Sequence, residues 1–524
     1  MNREERRIRK VVILGGGIAG WMTASYLGRA LGPAVNITVL EAPAIPEIGA
    51  GEATAPNLHT SFFDFLGISE EEWMRECNAS FRMGTRFVNW RTPGTGRATP
   101  RPLGGGADHF DRLFGPPAGH DGLPLTHYWT HGRLTGRTGE PYDYACYRRP
   151  VAFDHKLSPR RMDGTRWTSY AWHFDAHLVA DFLCRFAVKK QGATHIEDQL
   201  TEAVIDRHGH ITALRTKAGR AIEGELFVDC SGVQGLLINQ AMREPFLDLD
   251  DHLLNDRAVT TAVPHDDAAH GVEPFTSAIA MSSGWTWKIP MPGRFGTGYV
   301  YSSRFGGQDE ATGEFCRMWG LDPEIQPLNH LRYRAGRNRR AWVGNCVSIG
   351  PSCSFLEPLG STGVDFIHGA LCRLVKHFPD RRFDPMAADR FNQEIEAMFA
   401  DSRDFVQSHF RFAPREDTPF WRACKELKPV EELTEKVRRY RAGDMPAAGL
   451  GEFWSDGGYH CVLAGLGFLP GRPPAGLRRE AIESAEAVFA GIKREQRELV
   501  HTAPPLFDYL RQLHWRQAAV AGAF

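Results

Sequence analysis

The sequence predicts an α/β fold: an N-terminal unit built on a parallel sheet, carrying inserted strands and loops, and then a mostly helical C-terminal module. Three observations predict it. Residues 11–41 read as strand, glycine turn, helix and strand. Short apolar strands recur as far as residue 349. From Asp384 onward most segments show helical periodicity instead. The expected division is residues 1–380, with insertions at about 91–170 and 236–335, followed by residues 381–524.

Composition bounds the function. The 524 residues include 62 Lys+Arg against 63 Asp+Glu, and 42% are hydrophobic, so most of the chain can bury a core rather than stay disordered. A net charge of -1 gives no bulk attraction for nucleic acid or anionic lipid. No apolar run approaches the roughly 18 residues of a membrane span. Behind the charged start, the apolar run Val11–Leu14 is too short for a signal-peptide core. The ten cysteines form no CxxC pair and no zinc spacing, so free thiols in a reducing cytoplasm are expected. The 54 Gly, 33 Pro and 13 Trp point to an irregular, aromatic-lined fold whose chemistry is local.

The elements follow in order. Val11–Leu14 is an apolar, mostly β-branched strand. Gly15-Gly16-Gly17-Ile18-Ala19-Gly20 turns the chain into a helix over Trp21–Leu31, and Asn36–Leu40 is the next strand, ending at Glu41. Arg91–Pro124, rich in Gly, Pro, Arg and Asp, reads as a long surface loop. Asp175 is placed to start a helix over Asp175–Val188. Ala203–Asp206, Ile211–Thr216 and Glu223–Val228 read as antiparallel or edge strands, the last ending in Asp229-Cys230-Ser231-Gly232. Trp285–Pro290 and Gly298–Ser302 alternate like strands, and Trp342–Ile349 is a further apolar strand. Helices are expected from Gly363, over Ala387–Phe410 and over Arg478–Arg497, with a flexible break at Pro446–Gly451.

The first of these stretches carries chemistry. In Gly15-x-Gly17-x-x-Gly20 the first glycine permits the tight turn, the second lets the backbone approach a pyrophosphate, and the third lets helix and strand pack closely. Ile18 and Ala19 open the helix, whose free N–H groups and dipole favour an anion. Glu41 can accept both ribose hydroxyls, which suits FAD or NAD. FAD is favoured because Asp229 and Ile349 each end a later strand that returns toward the cofactor. No second glycine fingerprint marks a site for NAD(P)H. This is a Rossmann-like, FAD-binding domain by expectation. Ser231 lacks the nucleophile elbow of a hydrolase, and His173, His177 and His368 have no metal spacing.

Over roughly residues 9–515 the chain resembles the flavin-dependent tryptophan halogenases. The motifs are Gly15–Trp21, Gly51-Glu52-Ala53-Thr54 (GEAT), Phe87–Trp90, Trp172–Asp181, Asp229–Gly232, Gly284–Pro290 (GWTWKIP, containing the hallmark WxWxIP), Phe355–Leu359, Ser361-Thr362-Gly363 and Ala464–Phe468. The resemblance implies an FAD domain of the p-hydroxybenzoate hydroxylase type and a helical module that completes an indole pocket. It implies that a separate flavin reductase supplies FADH2, which with O2 forms a C4a-hydroperoxide. Chloride held near Thr362 and Gly363 is then oxidised to hypochlorous acid. A lysine and a glutamate guide that oxidant onto the indole ring. It also places Arg112, Phe114, Glu357, Phe453 and Trp454 in the substrate pocket and the GEAT turn at the cofactor.

The departures decide the expected outcome. The family's lysine position is Arg82, its glutamate position is Gly360, and a pocket histidine is replaced by Arg112. A Tyr-rich segment that closes over free tryptophan is replaced by a short Gly/Ala/Pro stretch between Arg441 and Phe453. Arginine stays protonated and is a poor nucleophile, yet it still donates hydrogen bonds in a fixed fork. The leading expectation is therefore an FADH2- and O2-dependent monooxygenase hydroxylating the indole of tryptophan, in a peptide or on a carrier, in natural-product biosynthesis. One alternative is a halogenase with non-standard catalytic residues, and another is a catalytically degenerate FAD-binding protein. A cytoplasmic homodimer with no nucleic-acid or membrane partner completes the expectation.

Overall fold

The computed structural model describes residues 6–43, 51–93, 108–444, 454 and 456–515. The chain forms two compact units, each assembled from three segments: Met1–Ala79, Phe174–Asp250 and Tyr333–Ala400 in the first, and Ser80–His173, Asp251–Arg332 and Asp401–Phe524 in the second. These limits follow the sheets rather than the 380/381 boundary, because strands distant in sequence complete each sheet.

The first unit is built on a six-stranded sheet in the order Trp342–Val343, Cys346–Ser348, Leu226–Asp229, Lys10–Leu14, Asn36–Glu41, Thr194–Glu197. Four pairings are parallel and the Trp342–Val343 edge is antiparallel. Parallel strands covered on both faces need continuous apolar runs, and Val11, Val12, Ile13, Phe227, Val228 and Val347 are all buried. The helix Ile18–Leu31 packs against the helices Ala176–Gln191 and Thr362–Lys376. Asp175 caps the second of these as expected: its Oδ1 accepts from the His177 and Leu178 amides at 3.0 and 3.2 Å. Left-handed Gly192 ends it.

The second unit carries a seven-stranded sheet in the order Asn329–Arg332, Arg257–Pro264, Arg294–Tyr301, Gly284–Met291, Thr276–Ala280, Gly84–Val88, His109–Leu113. All its pairings are antiparallel except Gly84–Val88 with Thr276–Ala280. Ser80–Arg82 pairs separately with Ala171–His173. The hallmark strand Gly284–Met291 is buried throughout. Its Trp287 ring lies over Gly298, where any side chain would collide with it. The helices Pro419–Glu426, Glu431–Arg441, Asp456–Gly465, Arg479–Thr502 and Leu506–Trp515 complete the unit, so the helical C-terminal third is present.

Three expected elements differ, and a fourth lies outside the described residues. The supposed loop 91–124 contains the sheet strand His109–Leu113 and a small hairpin, Gly119–His120 with Leu123–Pro124, while residues 94–107 lie outside the described residues. Glu223–Val228 is two strands, Ala221–Glu223 and Leu226–Asp229. The second is central in a parallel sheet rather than antiparallel or at an edge. Gly224 lies at the break, where a side chain would collide with Phe227 and Val12. Trp342–Ile349 is a tight hairpin turning at Gly344, φ 57°. Pro446–Gly451 falls on residues 446–451, outside the described residues.

Candidate functional site

The cofactor cradle lies in the first unit. Gly15 has φ 112°, in the region that favours glycine, and a side chain there would collide with the Cys230 carbonyl. A side chain on Gly20 would overlap the Gly15 carbonyl, so the third glycine is required for close packing. Gly17 is different. It caps the helix Ile18–Leu31, and a Cβ there would meet nothing within 4 Å. Open space above free helix N–H groups is what a pyrophosphate needs, so these residues fit FAD. Ile18 and Ala19 form the first turn, with Ala19 packed beneath Gly350.

Glu41 ends its strand with its carboxylate folded over Gly16. Its Oε2 lies 2.9 Å from His195 Nε2 on the neighbouring strand Thr194–Glu197. That imidazole stands edge-on to Trp21 at 4.9 Å. Burial raises the Glu41 carboxyl, opposed by His195. Sequence reasoning missed His195, because nothing local marks it and only the sheet register brings it to Glu41. Replacing Glu41 by Ala is expected to weaken FAD binding about tenfold or more, as loss of a charge-assisted hydrogen bond should. A flavin-fluorescence titration measures this, and unchanged affinity would remove Glu41 from the ribose.

Asp229 and Ile349, both expected at the cofactor, make these contacts within the chain. Asp229 is fully buried, and both its oxygens bind the chain. Oδ1 accepts from the Ser231 amide and hydroxyl at 2.9 and 2.6 Å, and Oδ2 accepts from the Leu237 and Ile238 amides at 2.8 Å each. It staples the turn after the strand. Ile349 is buried core, its amide donating to the Asp229 carbonyl at 2.9 Å.

In the GEAT turn, Gly51 has φ 90°, and Glu52, Ala53 and Thr54 are buried. The Glu52 carbonyl accepts from the Phe174 amide at 3.0 Å. The helix Thr362–Lys376 begins with buried Thr362 and with Gly363, where a Cβ again meets nothing within 4 Å. Its two preceding residues are both left-handed, Gly360 at φ 95° and Ser361 at φ 59°. Position 360 therefore has a backbone that favours glycine, beyond lacking a carboxylate. Glu357 is buried in the same segment.

The remaining candidates lie in the second unit. Arg82 is 1% exposed on the strand Ser80–Arg82. Its guanidinium donates to Thr85 Oγ1 at 2.8 Å and the Gly84 carbonyl at 3.3 Å, and sits 5.2 Å from the centre of the Phe114 ring. Buried His173, on the paired strand, is held well below its ordinary pKa by burial and by the Arg82 charge. Arg112, on the strand His109–Leu113, is buried with its guanidinium 5.7 Å from Phe114, 5.5 Å from Phe405 and 5.0 Å from Trp454. Trp454 stacks on Phe405 at 4.1 Å, with its indole N–H donating to Ser402 Oγ at 3.1 Å. The structure thus brings Arg82, Arg112, Phe114 and Trp454 together, while Phe453 lies outside the described residues. Phe405 was not foreseen, since in the long helix Pro385–Phe412 it reads as ordinary core.

Beside this cluster Arg86 forms a buried bidentate pair with Asp111, both bonds 2.7 Å, and reaches Asp154 at 2.9 Å. Trp285 and Trp287 are buried with ring centres 6.0 Å apart. Among the described residues no group of His, Cys, Asp and Glu could hold a metal ion, and no helix is long and apolar enough to cross a membrane.

The chain thus carries two candidate sites, the glycine cradle of the first unit and the buried aromatic and arginine cluster of the second. Residues 10–480 match the model of the family described as tryptophan halogenase. The chain belongs to that family. It is 58% identical to tryptophan 7-halogenase RebH of Lentzea aerocolonigenes and 55% identical to tryptophan 6-halogenase ThaL of Streptomyces albogriseolus, each comparison covering 97% of this chain and 99% of the relative. Among solved structures, tryptophan 6-halogenase SttH from Streptomyces toxytricini superposes with a TM-score of 0.86 at 37% identity, covering 96% of this chain and 99% of that one.

Proposed function

We propose that this protein is a reduced-flavin-dependent halogenase of an electron-rich aromatic ring of the indole class, using Arg82 where the family keeps lysine. The carrying observation is the Arg82 guanidinium, buried against Phe114 with two of its nitrogens already oriented by Thr85 and Gly84. Gly15, Gly17 and Gly20 with the first turn of the helix Ile18–Leu31 would hold the FAD pyrophosphate, and Glu41 the ribose. Thr362 and Gly363, at a helix start open to ligand, would hold the halide. Reduced FAD, delivered by a separate reductase, supplies with O2 the oxidising power that turns halide into hypohalous acid.

Arg82 then works without losing a proton. It donates hydrogen bonds to the oxygen of the hypohalous acid, orients it and draws electrons from the oxygen–halogen bond. The ring carbon attacks the halogen, the oxygen leaves with the ring proton, and the products are haloarene and water. Two observations favour this over hydroxylation. The relatives at 58% and 55% identity are named halogenases, and both tryptophans of the hallmark strand are kept and buried.

The test supplies FAD, a flavin reductase and NADH, with and without chloride or bromide, to free tryptophan and to a peptide ending in tryptophan. Products with a halogen isotope pattern, formed only with halide, are expected. A product heavier by one oxygen and independent of halide would instead establish hydroxylation. FAD binding with no conversion of any indole would make the protein a degenerate member of its family.

A further inference from the structure

The carboxylate of Glu41 is held from behind by a chain of side chains within the first unit. In the strand pair Asn36–Glu41 with Thr194–Glu197, His195 stands opposite Val39, so its imidazole shares a face of the sheet with Glu41 two residues on. Its Nε2 lies 2.9 Å from Glu41 Oε2. A carboxylate only accepts, so Nε2 carries the proton, and in the neutral ring Nδ1 is an acceptor. Nδ1 faces Cys184 Sγ of the helix Ala176–Gln191 at 3.8 Å. Burial pushes the Cys184 thiol up to about 11, so it keeps a proton to donate. Trp21 gives further support. It stands edge-on to the His195 ring at 4.9 Å, and its indole N–H donates to the same carboxylate.

The carboxylate sits where other forces oppose it. Glu197 stands directly across from Glu41 in the register, and its charge works against the ionised form. The seat also needs glycine at residue 16, where a Cβ would lie 1.9 Å from Glu41 Cδ. Gly16 has none of the three tasks of the glycine fingerprint. It leaves room for this carboxylate, next to Gly17 with its open space. We infer that His195 is a positioning residue for the FAD ribose: it fixes Glu41 over the glycine turn, its own tautomer set by Cys184, so that the carboxylate meets the adenosine hydroxyls already oriented. His195 acts through Glu41, by removing side-chain freedom that binding would otherwise have to freeze. The inference rests on the reading of Glu41 as the ribose-binding acid.

Fluorescence titration of the full chain, freed of flavin, tests it with two ligands: FAD, and an FAD analogue whose adenosine lacks both ribose hydroxyls. His195→Phe keeps a ring against Trp21 but offers no donor. It is expected to weaken FAD about fivefold or more and to leave the analogue unchanged. Equal losses for both ligands would mark a general disturbance of the fold and overturn the inference. His195→Gln restores an N–H donor and is expected to recover most of the FAD affinity, and it serves as the second variant if phenylalanine is not tolerated. A glutamine variant as weak as the phenylalanine one would overturn the role of the donor. In a Glu41→Ala background, His195→Phe is expected to add no further loss, and an undiminished second loss would show that His195 does not act through Glu41. The two readings fail separately. Unchanged FAD affinity in Glu41→Ala removes the ribose reading itself. Weakened FAD in Glu41→Ala with none in His195→Phe removes only the positioning inference.

Discussion

Arg82→Met is expected to slow ring halogenation about 100-fold or more, the scale on which loss of a proton-handling or charge-stabilising group acts, while FAD affinity stays unchanged. Methionine preserves the buried stem and its contact with Phe114 but offers no donor. Halide oxidation, followed with a hypohalite trap, should persist, because the residues assigned to flavin and halide lie in the other unit. A variant that halogenates at the parent rate would dismiss Arg82 from the chemistry. Restoring the family's pair as Arg82→Lys with Gly360→Glu is expected to recover little. Gly360 has φ 95°, so a glutamate there carries a backbone strain of about 1–2 kcal/mol and does not present its carboxylate as an unstrained residue would.

His460→Phe is expected to raise the thermal midpoint, and to raise it more at pH 5 than at pH 7. His460 is fully enclosed, edge-on to Tyr142 at 4.6 Å, and neither ring nitrogen has a hydrogen-bond partner among the described residues. Burial lowers its pKa to about 3. The folded protein keeps this imidazole neutral, whereas the unfolded chain protonates it below about 6.5. The unfolded state therefore binds more protons as acid is added. The stability is fully present above pH 6.5 and drains away as pH falls toward 3. Between pH 7 and pH 5 this amounts to about 2 kcal/mol, and phenylalanine removes it while keeping the ring packing. His409, lowered to about 3 by the same cause, keeps its own acid sensitivity in the variant. Asp143, raised to about 7 by burial, acts oppositely: its contribution is present below pH 3.8 and is lost as pH rises through 7. Comparing variant with parent at each pH cancels both. An identical pH dependence in the two proteins would show that His460 is not held neutral by burial.

What could be read from the sequence, and what could not, has a physical pattern. The strand Lys10–Leu14 was legible because a sheet strand covered on both faces needs uninterrupted apolar residues, and Asn36–Glu41 because Ile37, Val39 and Leu40 supply a buried apolar set. The strand His109–Leu113 was not legible, because Asp111 and Arg112 point into the interior and erase any apolar alternation. Asp111 is tolerated there only through Arg86 on the adjacent strand. The family motifs led to Arg82 and Arg112, but not to their surroundings. Phe405, His195 and His460 reach their partners across long separations, and local sequence carries no signal for that. The surroundings of Asp229 were not legible for a related reason: its four hydrogen bonds to the following turn exist only in the folded chain.

The register of the six-stranded sheet governs how this chain can be made. Val11 lies opposite Leu226, and Phe227 in turn opposite Cys346. During synthesis Lys10–Leu14 and its neighbour Asn36–Glu41 emerge long before Leu226–Asp229, and they leave the ribosome with one edge of Lys10–Leu14 unpaired. Closing such distant pairings is slow, and the waiting strand is exposed to aggregation. No truncation ending before residue 348 would retain the cofactor cradle, however complete its glycine motif.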